Sequence, residues 1–338
     1  VLSANYLMTT NNKYTIYGGE LSYFTRKLEA AMIFYGADFE MKSKLGTPLV
    51  EKRAATHQIP ILHTPEDWMI ADTTPLLRML DARFPARAMF PGGELGVLAH
   101  VIEEFFDEWV PRTVVHYRWH YPESAEFAAP RIAAGNKDIE TSILNWGPRS
   151  CRATGTESIH QQEAAEDEYI RILAAAEAQL KETRFLLGDR PTAVDCVVLG
   201  GLRAHTNMDP VPRRVVANYP TVVEWAESRA DTWAGDGSLS TFPESTPFAR
   251  TILGEMATTY KPFVLGNRAA QVAGEKAFQA EIYAESVSYL SRPYPEQSRQ
   301  MIIARIAGLS DDECEVVSAW LDGYDLSDAF AAQEESSC

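Results

Sequence analysis

The chain has 338 residues, a length that predicts two domains of ordinary size. Its 47 acidic and 31 basic side chains give a formal net charge of −16, and such a surface repels nucleic acid and anionic membranes. The four cysteines lack the spacing of a zinc site or a disulfide framework. No apolar run reaches the ~18 residues of a membrane span, and we see no secretory signal. We therefore expect a reduced, cytoplasmic protein with neither nucleic-acid nor membrane partners.

The first ninety residues alternate short apolar strands with helical patterns. A serine, Ser22, precedes the first helical pattern as a candidate N-cap, and Gly36 follows it as a stop. The predicted elements, in chain order, are a strand at 14–17, a helix at 23–35, a strand at 38–42, a loop or short helix at 46–57, strands at 59–63 and 68–70, and a helix at 73–83. This order predicts a thioredoxin-like α/β half domain.

Pro60 stands inside the apolar run 58–62, where proline cannot donate to a central sheet ladder. Its presence indicates a bent bond, cis if the chain turns sharply, with the Ile59 backbone N–H and C=O turned toward a ligand. Asp72 and Thr73 stand at the start of the helix predicted at 73–83, where free backbone donors favour anionic groups. The alternative to a binding role is that Pro60 is an ordinary proline of an edge strand and Asp72 an ordinary acid at a helix start. Together, the two features predict a binding site for a small, charged peptide.

A linker at 91–93 separates this half from a chain that is helical throughout. We predict an amphipathic run at 95–121, an irregular insertion near 122–155, a helix at 157–182, an apolar helix after a capping box formed by Thr192 and Asp195, a helix opening at 220–225, a polar linker at 235–246, and about four extra helices at 247–330. The predicted domains are therefore 8–90, with Met8 as a candidate native start, and 94–338.

Several segments, in this order and spacing, resemble the cytosolic glutathione transferase superfamily over roughly residues 13–233. They are 17–27 (YGGELSYFTRK), 58–62 (QIPIL), Asp72-Thr73, 192–195 after the turn at 188–191, and 220–225 with Arg229. The chain is similar to bacterial-type members and adds an extended C-terminus. The resemblance implies a thioredoxin-like N-terminal domain, an all-α C-terminal domain, glutathione as cosubstrate and a homodimer as the usual assembly.

The same resemblance implies which residues bind glutathione. The Ile59 backbone, before Pro60, would pair with the cysteinyl part of the tripeptide. Asp72 and Thr73 would hold its γ-glutamyl end, and Gln58 would touch the glycyl side.

Two hydroxyl side chains compete for the catalytic role. Ser22 stands where cysteine-type members carry the active cysteine, and a serine there resembles the hydroxyl-type members. Its O–H would donate to the glutathione sulfur and lower the thiol pKa, with help from the helix N-terminus. Tyr17 lies near the position of the tyrosine-type members and is the rival candidate. The alternatives are that Ser22 is only an N-cap and that Tyr17 only packs in its strand.

Trp109, Arg112 and His116 lie on one helical stripe within the densest aromatic and basic cluster of the chain. The resemblance implies that this helix faces the glutathione site, so they are predicted to form the wall of a second-substrate pocket. A polar network among core helices is the equal alternative. No third ligand of the HExxH type follows His116 and His120, so we expect no metal.

The sequence thus predicts a glutathione-dependent transferase that activates the glutathione thiol for attack on a small electrophilic, partly apolar substrate. It does not distinguish conjugation, dehalogenation, ether cleavage and isomerisation. Two alternatives stay open: a non-catalytic binding protein with the glutathione-transferase fold, and a glutathione-dependent peroxidase.

Overall fold

The computed structural model describes residues 13–330 of the chain. Met8 and the outer limits of the two predicted domains, residues 8 and 338, lie outside the described residues. Among the helices within 13–330, none combines the length and apolar character needed to cross a membrane.

The N-terminal half forms a four-stranded sheet with flanking helices. Its elements are β1 (Tyr14–Gly18), α1 (Tyr23–Tyr35), β2 (Phe39–Ser43), α2 (Pro48–Ala54), β3 (Ile61–His63), β4 (Met69–Ala71) and α3 (Thr73–Arg83). The strand order is β2-β1-β3-β4, with β1 and β2 parallel and β3 antiparallel to both of its neighbours. The predicted thioredoxin-like order is confirmed, and α1 and α3 have the predicted bounds.

Local signals account for the bounds of α1. The Ser22 side chain accepts a hydrogen bond of 3.3 Å from the Thr25 amide, which satisfies one of the free N–H groups at the helix start. Gly36 ends the helix at φ +68°, a left-handed conformation that costs glycine little. Between these ends, Leu28, Met32 and other buried residues form one apolar face toward the core.

The second half is predominantly helical. Its elements are α4 (Gly93–Glu104), α5 (Pro111–Trp119), α6 (Pro122–Ile132), α7 (Lys137–Ala153), α8 (Ile159–Glu182), α9 (Ala193–Gly201), α10 (Pro210–Val216), α11 (Pro220–Glu227), α12 (Pro247–Met256), α13 (Tyr260–Ala273), β5 (Ala277–Ile282), β6 (Glu285–Leu290), α14 (Pro293–Ile306), α15 (Asp311–Gly323) and α16 (Ser327–Phe330). Turns of π-helix at Phe105–Trp109 and Leu202–Thr206 follow α4 and α9.

The two halves share one hydrophobic core, in which α1 packs directly on α9. Gly200 permits this approach, because a Cβ there would lie 2.7 Å from the Tyr23 carbonyl oxygen. The predicted capping box at the start of α9 is confirmed, since the Asp195 carboxylate accepts a 2.7 Å hydrogen bond from the Thr192 amide. Burial raises the pKa of Asp195 to about 6 despite these hydrogen bonds.

The prediction that 122–155 is irregular was wrong, because this insertion forms α6 and α7. Pro122 occupies the first turn of α6, where its missing N–H costs nothing. The Asn136 side chain caps α7 by accepting from the amides of Asp138 and Ile139, at 3.0 and 3.2 Å. Gly147 lies where a Cβ would be 3.0 Å from Trp119, so it serves close packing of α7. Pro122 and Gly147 therefore both have helical roles.

The prediction that 247–330 adds only helices also needs correction, because β5 and β6 form a hairpin. Side chains along β5 alternate between exposed and buried, with Phe278 and Ile282 turned inward. Tyr283 and Ala284 form the turn with φ values of +52° and +59°. Such turns usually carry Asn-Gly or Asp-Gly, so the sequence lacked the strongest hairpin signal.

Candidate functional site

A cavity of about 360 Å³, which we call the α3 cleft, lies between the cis-proline loop, the start of α3, the first π turn and α14. Its lining residues are Phe24, His57, Gln58, Ile59, Pro60, Asp72, Thr73, Thr74, Asp107, Glu108, Arg292, Tyr294, Gln297, Ser298 and Met301. The residues predicted to bind glutathione, namely Gln58, Ile59, Pro60, Asp72 and Thr73, all line this one cleft.

The floor of the α3 cleft offers unpaired backbone. The Ile59–Pro60 peptide bond is cis, and the β3 ladder begins only at Ile61, which pairs with Tyr17 and Ala71. Within residues 13–330, the N–H and C=O of Ile59 have no hydrogen-bond partner. An extended peptide backbone can therefore pair with Ile59 without displacing an existing hydrogen bond.

Asp72 has an unusual backbone conformation at the start of α3, with φ +72° and ψ 110°. A non-glycine residue in this region costs on the order of 1–3 kcal/mol, and such residues concentrate at binding sites. The Asp72 side chain is exposed to solvent in the cleft, yet the protein around it removes part of its hydration, and this desolvation raises its pKa. The Asp107 carboxylate raises this pKa further, whereas the Lys27 ammonium lowers it.

The first π turn supplies an acidic wall that sequence analysis missed. The Val110 amide donates a 3.0 Å hydrogen bond to the carbonyl of Phe105, five residues earlier. This π-helical bond changes the direction in which the side chains between the two residues point. As a result Asp107 and Glu108 both line the α3 cleft, while Phe105 and the other aromatic residues of the turn are buried. The adjacent acidic pair was visible in the sequence, but the π turn that orients it was not.

A buried lysine holds the base of this wall. Lys27 of α1 is fully buried, and its ammonium group bonds to the carboxylates of Glu103 and Asp107 and, at 3.0 Å, to the Thr74 hydroxyl. Burial opposes its charge, but the two carboxylates outweigh burial and raise the pKa of Lys27. Burial raises the pKa of Glu103 to about 7, although the Lys27 ammonium lowers it, because Lys27 is shared with the second carboxylate, Asp107.

Glu108 completes the acidic wall, and the neighbouring Glu104 is buried and does not line the cleft. Burial raises the pKa of Glu108 to about 7, while Arg292, whose Nη2 lies 2.9 Å from Glu108 Oε2, lowers it. Glu104 is more deeply enclosed, and burial raises its pKa well above the ordinary range. It accepts hydrogen bonds from the hydroxyls of Ser298 and Tyr260. Burial thus raises the pKa of both acids above the ordinary carboxyl value.

The C-terminal extension forms the roof of the α3 cleft. Arg292 and Tyr294 approach from the start of α14, and the Tyr294 hydroxyl donates to Gln58 Oε1 at 2.7 Å. Gln58 and Tyr294 are 236 positions apart in the chain. No local sequence pattern can reveal a contact of that separation, so sequence analysis missed the roof.

Ser22 lies in a second cavity of about 680 Å³, which we call the Ser22 cavity. Its lining residues are Gly18, Gly19, Glu20, Leu21, Ser22, Met41, Lys42, Ser43, Lys44, Leu45, Gly46, Glu51, His57, Ile59, Arg131, Ile132 and Ala134. His57 and Ile59 border both cavities. The structure therefore separates Ser22 from Asp72 and Thr73 and places Ile59 between them.

The two candidate hydroxyls differ in their surroundings. The Ser22 oxygen accepts from the Thr25 amide, and its own hydrogen has no acceptor among residues 13–330. It is thus both an N-cap and a free donor at the helix start. Tyr17 is half-buried in β1, paired with Lys42 and Ile61, and lines neither cavity. The structure therefore favours Ser22 over Tyr17 as the group that can meet a ligand.

Trp109, Arg112 and His116, which were predicted to form a pocket wall, are all buried and line neither the α3 cleft nor the Ser22 cavity. Their surroundings are the polar network that was the alternative prediction. Glu168 accepts from Trp109 Nε1 at 2.9 Å and from Arg112 Nη2 at 3.1 Å. His116 Nε2 lies 2.7 Å from Glu166.

The β5–β6 hairpin is the physical reason for this difference. The Tyr289 ring packs 6.2 Å from the Trp109 ring, and the Arg112 guanidinium lies 5.7 Å from the Tyr283 ring centroid. Gln161 of α8 also donates to the Ile282 carbonyl at 2.8 Å, which fixes the hairpin against the helical domain. The extension thus covers the helix face on which the substrate wall was predicted.

Comparison with known proteins gives a family for the helical domain. The model described as "Glutathione S-transferase, C-terminal domain" matches residues 146–229. No curated protein matches the chain.

Among solved structures, similar ones include a glutathione S-transferase from Rhodospirillum rubrum F11, with 16% identity over 70% of this chain and 99% of that chain, and a TM-score of 0.46. A glutathione S-transferase from Methylobacterium radiotolerans JCM 2831, solved with glutathione sulfonate, has 16% identity over 66% and 92% of the two chains and a TM-score of 0.42. Maleylacetoacetate isomerase from Anaeromyxobacter dehalogenans 2CP-1 has 17% identity over 66% and 92%, and a TM-score of 0.38.

The family model covers the end of α7 through α11, including the capped helix α9 at the centre of the core. N-terminal to this matched segment, the chain forms a sheet of order β2-β1-β3-β4 with the mixed strand directions of a thioredoxin-like domain. The helical half therefore contains a segment that matches the C-terminal domain of glutathione S-transferases, and it follows a thioredoxin-like N-terminal half.

Proposed function

We propose that this chain is a glutathione-dependent transferase that activates the glutathione thiol for attack on a small electrophilic, partly apolar substrate. One observation carries the proposal. The unpaired Ile59 backbone, the Asp72 carboxylate and the start of α3 meet in a single cleft. These are the partners that a tripeptide with a zwitterionic γ-glutamyl end requires.

The charges of the α3 cleft suit the γ-glutamyl end. Its ammonium group is placed between the carboxylates of Asp72 and Asp107, and its carboxylate at the backbone N–H groups of Thr73 and Thr74. The cysteinyl backbone pairs with Ile59. Since Ile59 also borders the Ser22 cavity, the cysteinyl side chain can carry the sulfur to the Ser22 side.

The Ser22 hydroxyl then ionises the thiol. A hydrogen bond to a charged group contributes about 1.5–3 kcal/mol, and a helix N-terminus about 0.3–1 kcal/mol. At 1.36 kcal/mol per pKa unit, these effects lower a thiol pKa of about 8.5 by roughly 1.3–3 units. The bound thiol then has a pKa of roughly 5.5–7.2, so a substantial fraction of it is thiolate at neutral pH, and the thiolate is the reactive form.

The chemical step needs only the two substrates. The thiol proton leaves to solvent, and the sulfur lone pair forms a bond to the electrophilic carbon. A leaving group departs with its bonding electrons, or an activated double bond receives the pair and then takes a proton from water. The protein contributes position and a low thiol pKa.

Glutathione binding by isothermal titration calorimetry, together with ultraviolet titration of the bound thiolate, tests the proposal. We expect Asp72→Asn to weaken binding by about 10-fold or more, because it removes a charged partner worth about 1.5–3 kcal/mol. Asp38→Asn, which changes an exposed acid just before β2, is the matched control. Ser22→Ala should leave the dissociation constant within about 3-fold and raise the pKa of the bound thiol by about 1 unit or more.

A wild-type protein that does not bind glutathione contradicts the proposal. A non-catalytic binding protein is the second candidate function, because Ser22 does not line the cleft that contains Asp72 and Thr73. Glutathione that binds through Asp72 but keeps an ordinary thiol pKa in both wild type and Ser22→Ala would establish that second candidate.

A further inference from the structure

We propose that the Ser22 cavity binds the second substrate, and that this substrate is an apolar electrophile carrying a carboxylate, which pairs with Arg131. The inference rests on the proposed function, because it takes the sulfur to lie beside Ser22. It goes beyond that function by naming a site and a substrate class.

Most of the walls of the Ser22 cavity come from the turn between β1 and α1, the segment 41–46 from the middle of β2 onward, and the C-terminal end of α6. Glu51 of α2 and the loop residues His57 and Ile59 complete the lining. The volume of about 680 Å³ lies within the roughly 300–1,000 Å³ of small-molecule sites. Helix α6 belongs to the insertion at 122–155, so this insertion contributes a wall of the site.

The apolar lining gives the site its preference for an apolar body. Met41, Leu45, Ile59 and Ile132 line the cavity together with Leu21. Leu45 is 49% exposed, although leucine at a packed position is normally buried. A ligand that covers Leu45 therefore removes apolar area from water, at about 25 cal/mol per Å².

The charged residues of the cavity leave one cation without an acidic partner. Lys42 lies 2.8 Å from Glu40, and Lys44 lies 3.3 Å from Glu51. The Arg131 guanidinium stacks on the Phe127 ring at 3.8 Å and donates to the Phe127 carbonyl at 2.7 Å. Within residues 13–330 it has no carboxylate partner.

Arg131 is therefore positioned for a substrate anion. Its contact with Phe127 orders the guanidinium and leaves other N–H groups available, and guanidinium groups match carboxylates bidentately. Glu20, an exposed acid at the β1–α1 turn, repels an anion on its own side of the cavity. The carboxylate of the substrate is thus directed toward α6 and its reactive carbon toward Ser22.

The α3 cleft is the less suitable place for such a substrate. It contains the carboxylates of Asp72, Asp107 and Glu108, and its single arginine, Arg292, is already paired with Glu108. In the proposed function the γ-glutamyl end also occupies this cleft. An anionic electrophile therefore finds its favourable surroundings on the other side of Ile59.

Equilibrium binding of product-like conjugates tests the inference without requiring turnover. Calorimetry compares glutathione, S-benzylglutathione and S-(4-carboxybenzyl)glutathione. For the wild type we expect both conjugates to bind more tightly than glutathione, and the carboxybenzyl conjugate about 3- to 10-fold more tightly than the benzyl conjugate. Arg131→Gln should abolish the difference between the two conjugates and leave glutathione binding unchanged.

A second variant tests the apolar wall. Leu45→Ser should weaken both conjugates by about 3-fold or more and leave glutathione binding unchanged. The matched controls lie on α7, away from the cavity: Arg152→Gln, an exposed arginine that pairs with Glu157, and Leu144→Ser, a leucine that is 40% exposed. Neither control should alter the binding of any of the three ligands.

The outcomes separate this inference from the proposed function. If glutathione binds but Arg131→Gln preserves the preference for the carboxybenzyl conjugate, or Leu45→Ser leaves both conjugates unaffected, the assignment of this cavity is overturned and the proposed function stands. If none of the three ligands binds to the wild type, the proposed function is overturned, and this inference with it.

Discussion

Lys27 gives the most informative stability experiment, because its ammonium group joins the two halves of the molecule. It projects from α1 and bonds to Glu103 and Asp107 of the helical half, and also to Thr74 at the start of α3. The Lys27 and Glu103 side chains are both fully buried. Lys27→Met keeps most of the apolar volume and removes the charge and three hydrogen bonds.

The expected loss is large, because the substitution leaves two carboxylates facing each other. Breaking a buried ion pair by removing one partner costs about 3–5 kcal/mol, against a total stability of about 5–15 kcal/mol. The loss should shrink at acidic pH. Burial already raises the pKa of Glu103 to about 7, above its ordinary value, and removing Lys27 raises it further. Below this raised pKa, Glu103 is protonated in the folded state, so the missing ammonium group matters less at pH 5.0 than at pH 7.5.

Urea denaturation followed by circular dichroism at pH 5.0 and pH 7.5 measures the effect. Lys42→Met is the matched control, because the Lys42 and Glu40 side chains are 50% and 38% exposed and such a pair contributes about 0–1 kcal/mol. Adding Glu103→Gln to Lys27→Met should recover part of the loss at pH 7.5, since it removes one of the two opposed charges. A loss below about 1 kcal/mol at pH 7.5, or one equal at both pH values, refutes this account of the network.

Three further predictions concern the roof, the acidic wall and the core. Burial raises the pKa of Glu108 to about 7, so the folded state loses stability as pH rises from the ordinary carboxyl pKa to about 7. Glu108→Gln should therefore flatten the plot of melting temperature against pH in this range. An unchanged slope contradicts the assignment of this pH dependence to Glu108. Tyr294→Phe removes the hydrogen bond to Gln58 and should change the urea midpoint little, while amide hydrogen exchange in the loop 56–60 becomes faster; equal exchange rates mean that the roof does not hold the loop. Gly200→Ala places a Cβ 2.7 Å from the Tyr23 carbonyl and should cost about 1–3 kcal/mol by calorimetry, and a neutral effect contradicts the close α1–α9 contact.

Helices with clear end signals were predicted well from the sequence. Ser22 and Gly36 mark the ends of α1, and the Thr192–Asp195 capping box marks the start of α9. These signals act between residues a few positions apart, so they are readable in one chain. The backbone at Ile59 is similar, because a proline at position 60 restricts its neighbour directly.

The errors concern segments whose structure depends on distant partners. The Gly147 position is helical because Trp119 packs against it, and the Trp109 face is closed because the hairpin residue Tyr289 covers it. In both cases the local pattern allowed two structures, and tertiary packing selected one.

By itself, the sequence determined the order of strands and helices in the first half, the capped helices, and the bent backbone of the cis-proline loop, because hydrogen bonding and steric restriction between near neighbours decide these features. Only the tertiary structure decided that Ile59 separates Ser22 from Asp72, that Asp107 and Glu108 face the α3 cleft, and that the C-terminal extension roofs it. Those arrangements join residues up to 236 positions apart, and their energy comes from burial and charge pairing that exist only once the chain has folded.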